Sequence, residues 1–129
     1  MDDLVFKSAK ALARLLRARK VSRVEVMRAF IAQVERVNPK VNAIVTFLHE
    51  AALKEAKRWD RRRSALPGER GAALAGLPIA YKDMLVTRGI RTTFGSPIYA
   101  DYIPPEDALV VRRLRDAGAV ILGDRKSVV

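Results

Sequence analysis

Apolar residues recur at helical spacing through the first third of the chain. Ala11, Leu12, Leu15 and Leu16 share one face of a segment from Ser8 to about Arg19, the spacing of an amphipathic helix. A second helix opens at Ser22, where Glu25 three residues on gives the capping-box arrangement, each side chain satisfying an orphan backbone N–H. Val26, Met27, Phe30, Ile31, Val34 and Val37 carry its stripe onward, and the Met and Phe on it read as core. Asn38-Pro39 is expected to end the element, because the residue before proline is disfavoured in the α region.

The pattern then shortens. "NAIVTFL", Asn42 to Leu48, is β-branched, aromatic and brief, as a strand would be. From His49 to about Ser64 helical spacing returns, with Ala52, Ala56 and Trp59 on one side. "LPGERGAALAG", Leu66 to Gly76, reads as a linker around a Pro-Gly turn. A strand from Leu77 to Lys82 follows, and then a turn-rich loop to Asp107, a candidate N-cap for a helix carrying Leu109, Val110, Leu114 and Ala117. Gly118 occupies the place of a left-handed C′ residue, and "AVILG", Ala119 to Gly123, is another continuous apolar strand. Strand, loop, helix and strand in this order predict a crossover unit with parallel strands, and an α/β architecture.

Composition bounds the rest. The 129 residues make one domain or a piece of one, half of them hydrophobic. There is no cysteine, which excludes a disulfide framework and a thiolate metal site and favours a reducing compartment. The N-terminus lacks the basic and apolar regions of a secretory signal. No apolar run approaches the roughly 18 to 20 residues of a membrane span. The expectation is a cytoplasmic protein with no membrane partner.

The net charge of +11 is concentrated. Eight basic residues fall between Lys7 and Arg28, and seven more between Lys54 and Arg70. They sit on the polar faces of predicted helices, and aromatics at 6% are too sparse for extensive base stacking. A solvated basic face is the expected reading, and a polyanion site the alternative.

Candidate chemistry centres on "LAGLPIAYKDM", an apolar strand that closes on Lys82 with Asp83 behind it. A lysine at the mouth of a buried strand is paired, snorkels to water, or works as a base. A lysine base must be neutral near pH 7, about three units below its reference value, which burial and a second cation favour and a facing carboxylate opposes. Successive strand side chains alternate in direction, so Asp83 need not meet the amine. His49, the one histidine, has no companion that would make it a ligand or base.

"LAGLPIAYKD", "GIRTTFGS" and "PPEDALVVRRLRDAGAVILG", in that order, resemble the N-terminal part of the amidase signature family, serine hydrolases and amidotransferases acting on carbon–nitrogen bonds. "VSRVEVMRAFIAQVERVNPKVNAIVTF" resembles the helix and first strand that precede the family's core. The resemblance implies the opening helices, first strands and crossover helix of an α/β/α sandwich with a mixed sheet, incomplete here. It places Lys82 as the base of a Ser–cis-Ser–Lys triad. There the lysine takes a proton from a bridging serine, which activates the nucleophilic serine, and backbone N–H groups stabilise the oxyanion.

Both family serines lie in a Gly/Ser-rich segment beyond Gly123, and none of Ser8, Ser22, Ser64, Ser96 and Ser127 matches them. Ser96, in "FGSPI", reads as a turn residue. "DRKSVV" departs from the Lys-Thr-Asn-like run the family has next. The expected organisation is therefore residues 1–123 as the N-terminal part of an amidase domain and 124–129 as a non-matching tail, as a frameshift, early stop or junction would leave. By resemblance the substrate is an amide, with transfer RNA or a partner subunit in the amidotransferase branch, and no cofactor or metal. The isolated chain is expected to lack activity and, with its sheet cut short, to self-associate. The other readings are a small basic module that binds nucleic acid or protein, and one half of a split enzyme.

Overall fold

The computed structural model describes residues 3–62 and 72–126. The Pro-Gly part of the expected linker, Ser64 and Ser127 lie outside them. Helices α1 (Ala9–Arg17), α2 (Arg23–Val41) and α3 (His49–Arg61) come first, with strand β1 (Ile44–Phe47) between α2 and α3. Strand β2 (Pro78–Lys82), helix α4 (Leu109–Asp116) and strand β3 (Val120–Arg125) complete the order. The sheet runs β1-β3-β2. β2 and β3 are parallel, as a crossover through α4 requires, whereas β1 is antiparallel to β3. The sheet is mixed, and β1 and β2 are its edges.

The amphipathic stripes meet as their spacing dictates. Met27 and Ile31 of α2, Ala52, Ala56 and Trp59 of α3, and Val120 and Leu122 of β3 form one buried cluster. Leu12 and Leu16 of α1 join Val26 and Leu77 in a second, with Phe30 packed against both. The exposed side of α1 and the start of α2 carries Arg14, Arg17, Arg19, Lys20 and Arg28, the solvated basic face expected from the sequence.

The start of α2 is fixed from three directions. Ser22 and Glu25 make the reciprocal capping box, with Ser22 N–H to Glu25 Oε2 at 2.7 Å and Glu25 N–H to Ser22 Oγ at 3.1 Å. These bonds hold the Glu25 carboxyl below its ordinary value. Asp60, at the far end of α3, accepts the Arg23 and Val24 N–H groups at 2.9 and 3.1 Å. Arg23 is buried, with its guanidinium 3.5 Å from Asp60 and its Nε–H on the Ala75 carbonyl at 3.2 Å. Gly76 follows at φ +80°, and a Cβ there would come within 2.4 Å of Arg23 Cδ. The residue must be glycine for both reasons.

Three local expectations are corrected. α2 does not stop at Asn38-Pro39. Pro39 is accommodated in the last turn, and the helix ends at Asn42 in the left-handed conformation, its N–H on the Asn38 carbonyl at 2.7 Å. The Asn38 side chain instead pairs with both the N–H and the C=O of Ile44, at 2.8 and 2.9 Å, and so sets the entry to β1. Asp107 does not cap α4. Ala108 holds that position without a side-chain cap, and the Asp107 carboxylate takes the Arg88 N–H at 2.7 Å and pairs with Arg115 at 3.2 Å. The buried face of α4 is also rotated from the expected one: Val111 is fully buried, while Leu109 and Val110 are exposed. Gly118 is left-handed at φ +93°, as predicted.

The α2 anchor gives an expected order of stability losses in urea unfolding. Ser22→Ala removes one exposed cap and costs about 1 kcal/mol. Asp60→Ala removes the carboxylate that accepts the Arg23 and Val24 N–H groups and pairs with the buried Arg23 guanidinium, and costs about 3 kcal/mol.

Candidate active site

Lys82 is the last residue of β2 and is half-buried. In the parallel ladder it stands opposite Arg125, and Tyr81 stands opposite Asp124. Alternation places Tyr81 and Asp124 on one face and Lys82 and Arg125 on the other. Past Lys82 the strand turns sharply, its carbonyl accepting the Met84 and Leu85 N–H groups at 2.7 and 3.0 Å. Among the described residues no acceptor holds the Lys82 ammonium.

Asp83 is buried and bound to the loop beyond it. Its N–H donates to the Arg125 carbonyl at 2.9 Å. Its carboxylate accepts the Thr93 N–H at 2.7 Å and the Thr93 hydroxyl. The acid beside the lysine is thus committed to a tether ten residues on, which no local pattern in the sequence reveals. Thr93 in turn leads into Phe94, one of the few non-glycine residues with positive φ, at +54°.

Asp124 is a site that the sequence pattern does not single out. Its side chain is fully buried, and neither carboxylate oxygen has a hydrogen-bond partner among the described residues. Burial first, and the neighbouring Asp83 charge second, push its carboxyl up to about 7. Tyr81, across the ladder, is raised by its own burial. A cavity of about 500 Å³ opens beside Tyr81, Trp59 and Arg115, and Lys82 does not line it.

The other residues considered fall away from this strand end. Ser96 is a turn residue, its Oγ accepting the Ile98 N–H at 3.3 Å. His49 is exposed, its ring 5.1 Å from that of Phe47. No group of three or more metal-ligating side chains occurs among the described residues. No helix among them is long and apolar enough to cross a membrane.

An α/β unit with a lysine closing a parallel strand is the geometry in which comparison with known proteins becomes informative. The family model described as Amidase matches residues 25–126. The chain belongs to the amidase family. The match runs past Gly123, and Asp124 and Arg125 are integral to β3. The A subunit of glutamyl-tRNA(Gln) amidotransferase from Acidothermus cellulolyticus is 46% identical over 123 residues, which is 95% of this chain and 24% of that protein. Peptide amidase from Stenotrophomonas maltophilia superposes with a TM-score of 0.81 at 30% identity, over 97% of this chain and 26% of that one. A fatty acid amide hydrolase superposes at 0.85 with 24% identity, a likeness of fold over 95% of this chain and 21% of that one. The chain spans about a quarter of the length of these amidases.

The raised Asp124 carboxyl makes stability depend on pH. The folded state holds this proton more tightly than the unfolded chain, so its contribution is full below the ordinary carboxylate value of 3.8 and is lost as pH rises to about 7. Urea midpoints should therefore fall between pH 5 and 7.5, and Asp124→Asn, which cannot ionise, should flatten that slope.

Proposed function

We propose that this chain is the N-terminal part of an enzyme that cleaves amide carbon–nitrogen bonds, with Lys82 as the proton acceptor of a Ser–cis-Ser–Lys relay. The observation that carries the reading is the position of Lys82: the half-buried end of a parallel strand in an amidase-family chain, with no carboxylate holding its ammonium among the described residues. Strand C-terminal ends are where α/β folds place reacting groups. At such a site the lysine can receive a proton when a neighbouring hydroxyl is activated for attack on a carbonyl, and return it to the departing amine. The hydroxyls and the oxyanion donors come from the part of the domain that follows residue 126.

The amidotransferase chains among the relatives suggest the biological setting. On that likeness the substrate is a small amide, and the assembled enzyme meets a partner subunit or a transfer RNA. The basic face of α1 and α2, part of a net charge of +11, suits the second of these. It also supports the other reading, a basic module that keeps the amidase scaffold without its chemistry. Retention of RNA at low salt that falls steeply with salt, with no amide turnover when the domain is completed, would favour the module.

The deciding assay is amide hydrolysis by the chain alone and by the chain joined to the remainder of the Acidothermus cellulolyticus relative. The chain alone should be inactive. The completed protein should release ammonia from glutamine, and Lys82→Ala should lower that rate by about a thousandfold or more. Turnover by the isolated chain that vanishes in Lys82→Ala would overturn the reading of it as an incomplete site.

A further inference from the structure

The cavity of about 500 Å³ walled by α3, the end of α4 and the sheet is not used by the amide chemistry proposed for Lys82. Its volume is that of a small-molecule site. Glu55, Arg58, Trp59 and Arg62 recur at i, i+3, i+4 and i+7, so one stripe of α3 and its C-cap faces the space. Arg115 and Asp116 close it from α4, and Ala119 and Val120 join the Trp59 indole as an apolar floor.

The polar groups are arranged to receive one negative charge. The Arg62 guanidinium lies over the Trp59 ring, 4.9 Å from its centre. Held there, it pairs with no carboxylate among the described residues, and its N–H groups are left for an anion. Arg115 spends Nη1 on Asp107 at 3.2 Å and pairs with no other carboxylate among the described residues. Arg58 is already engaged by Glu55 at 3.4 Å. The Tyr81 hydroxyl has no hydrogen-bond partner among the described residues, and burial, which raises it above its ordinary value, keeps it a donor. Three guanidiniums against two carboxylates leave the lining with a single positive charge. A monoanion matches that balance. A phosphate dianion or a nucleic-acid strand would bring further negative charge against Glu55 and Asp116.

We propose that this cavity binds a small organic monocarboxylate, its carboxylate on Arg62 and Arg115 and its apolar body against Trp59, Ala119 and Val120. Two guanidiniums suit a carboxylate because their N–H groups match its two oxygens. Holding one of them over an indole before the ligand arrives lowers the ordering cost of binding. The inference goes beyond the amidase reading and does not depend on it, since it uses neither Lys82 nor Asp83.

Trp59 is the one tryptophan of the chain, so its emission reports on this cavity. The probe is cyclohexanecarboxylate, which does not absorb where the indole is excited, and the control is its neutral amide. Titrated into the full chain, the carboxylate should change the emission saturably, with half-saturation at about 1 mM or below. Saturation-transfer NMR should show protein contact at its ring protons. The amide should bind at least about tenfold more weakly. Arg62→Gln and Arg115→Gln should each weaken the carboxylate at least about tenfold, and Arg61→Gln, outside the lining, should leave it unchanged. Arg62 is exposed, so its replacement leaves the core intact even if the Arg115 variant, which also releases Asp107, disturbs α4. Absence of both signals at about 30 mM probe would overturn the proposal. So would equal affinity for the acid and its amide, or equal weakening by Arg61→Gln. Tighter binding of inorganic phosphate than of the carboxylate would give the cavity to a different anion and overturn it as well.

Discussion

The buried Arg23 and its partner Asp60 hold the two halves of this fold in register. Asp60 closes the N-terminus of α2 from the end of α3, placing a carboxylate where the helix dipole and two free N–H groups favour it. Arg23 passes beneath the turn before β2, bonds the Ala75 carbonyl and leaves room only for a glycine at 76. A guanidinium taken from water at this cost is kept because each of its neighbours is itself an end of an element. Through these contacts α2, α3 and the entry to β2 become one rigid unit, and the position of Lys82, at the far end of that strand, follows from it.

β3 sets the rest. It is the central strand, antiparallel to β1 and parallel to β2, and its side chains Val120 and Leu122 enter the helical core. With one strand on each side it presents no edge, so the two unpaired edges fall on β1 and β2. The β2 edge carries Lys82 and the apolar loop follows it directly. Unpaired ladder groups, exposed apolar side chains and the candidate base thus lie along the same stretch of chain, from Pro78 to Val110.

Much of this is legible in the sequence because the signals are local and periodic. The α2 stripe, the Ser22–Glu25 box, the Ala52–Ala56–Trp59 face and the left-handed Gly118 each depend on residues within a few positions of one another, and each appears in the fold as read. The failures have a common origin in distant partners. Asn38 reads as a terminator because proline follows it, but its amide matches the backbone of Ile44 across the turn. Asp107 reads as a cap, and Arg88 and Arg115 draw its carboxylate elsewhere. Arg23 reads as one more solvated base in a basic run. Only the meeting of α2, α3 and the Ala75 turn makes it a core residue.

The same distinction explains the pairing of lysine and aspartate that closes β2. A carboxylate adjacent to a lysine would ordinarily hold the ammonium charged, against the needs of a proton acceptor. Strand alternation turns the two side chains apart, and the Thr93 N–H and hydroxyl then occupy the acid. Asp83 serves as an anchor for the loop, and the lysine is left without it. The cost of that arrangement appears across the ladder at Asp124, a second acid buried within the field of the first and kept protonated into the neutral range. Lys82 faces the other way, with Arg125 as its cross-strand neighbour. The sheet itself thus separates the acids from the candidate site.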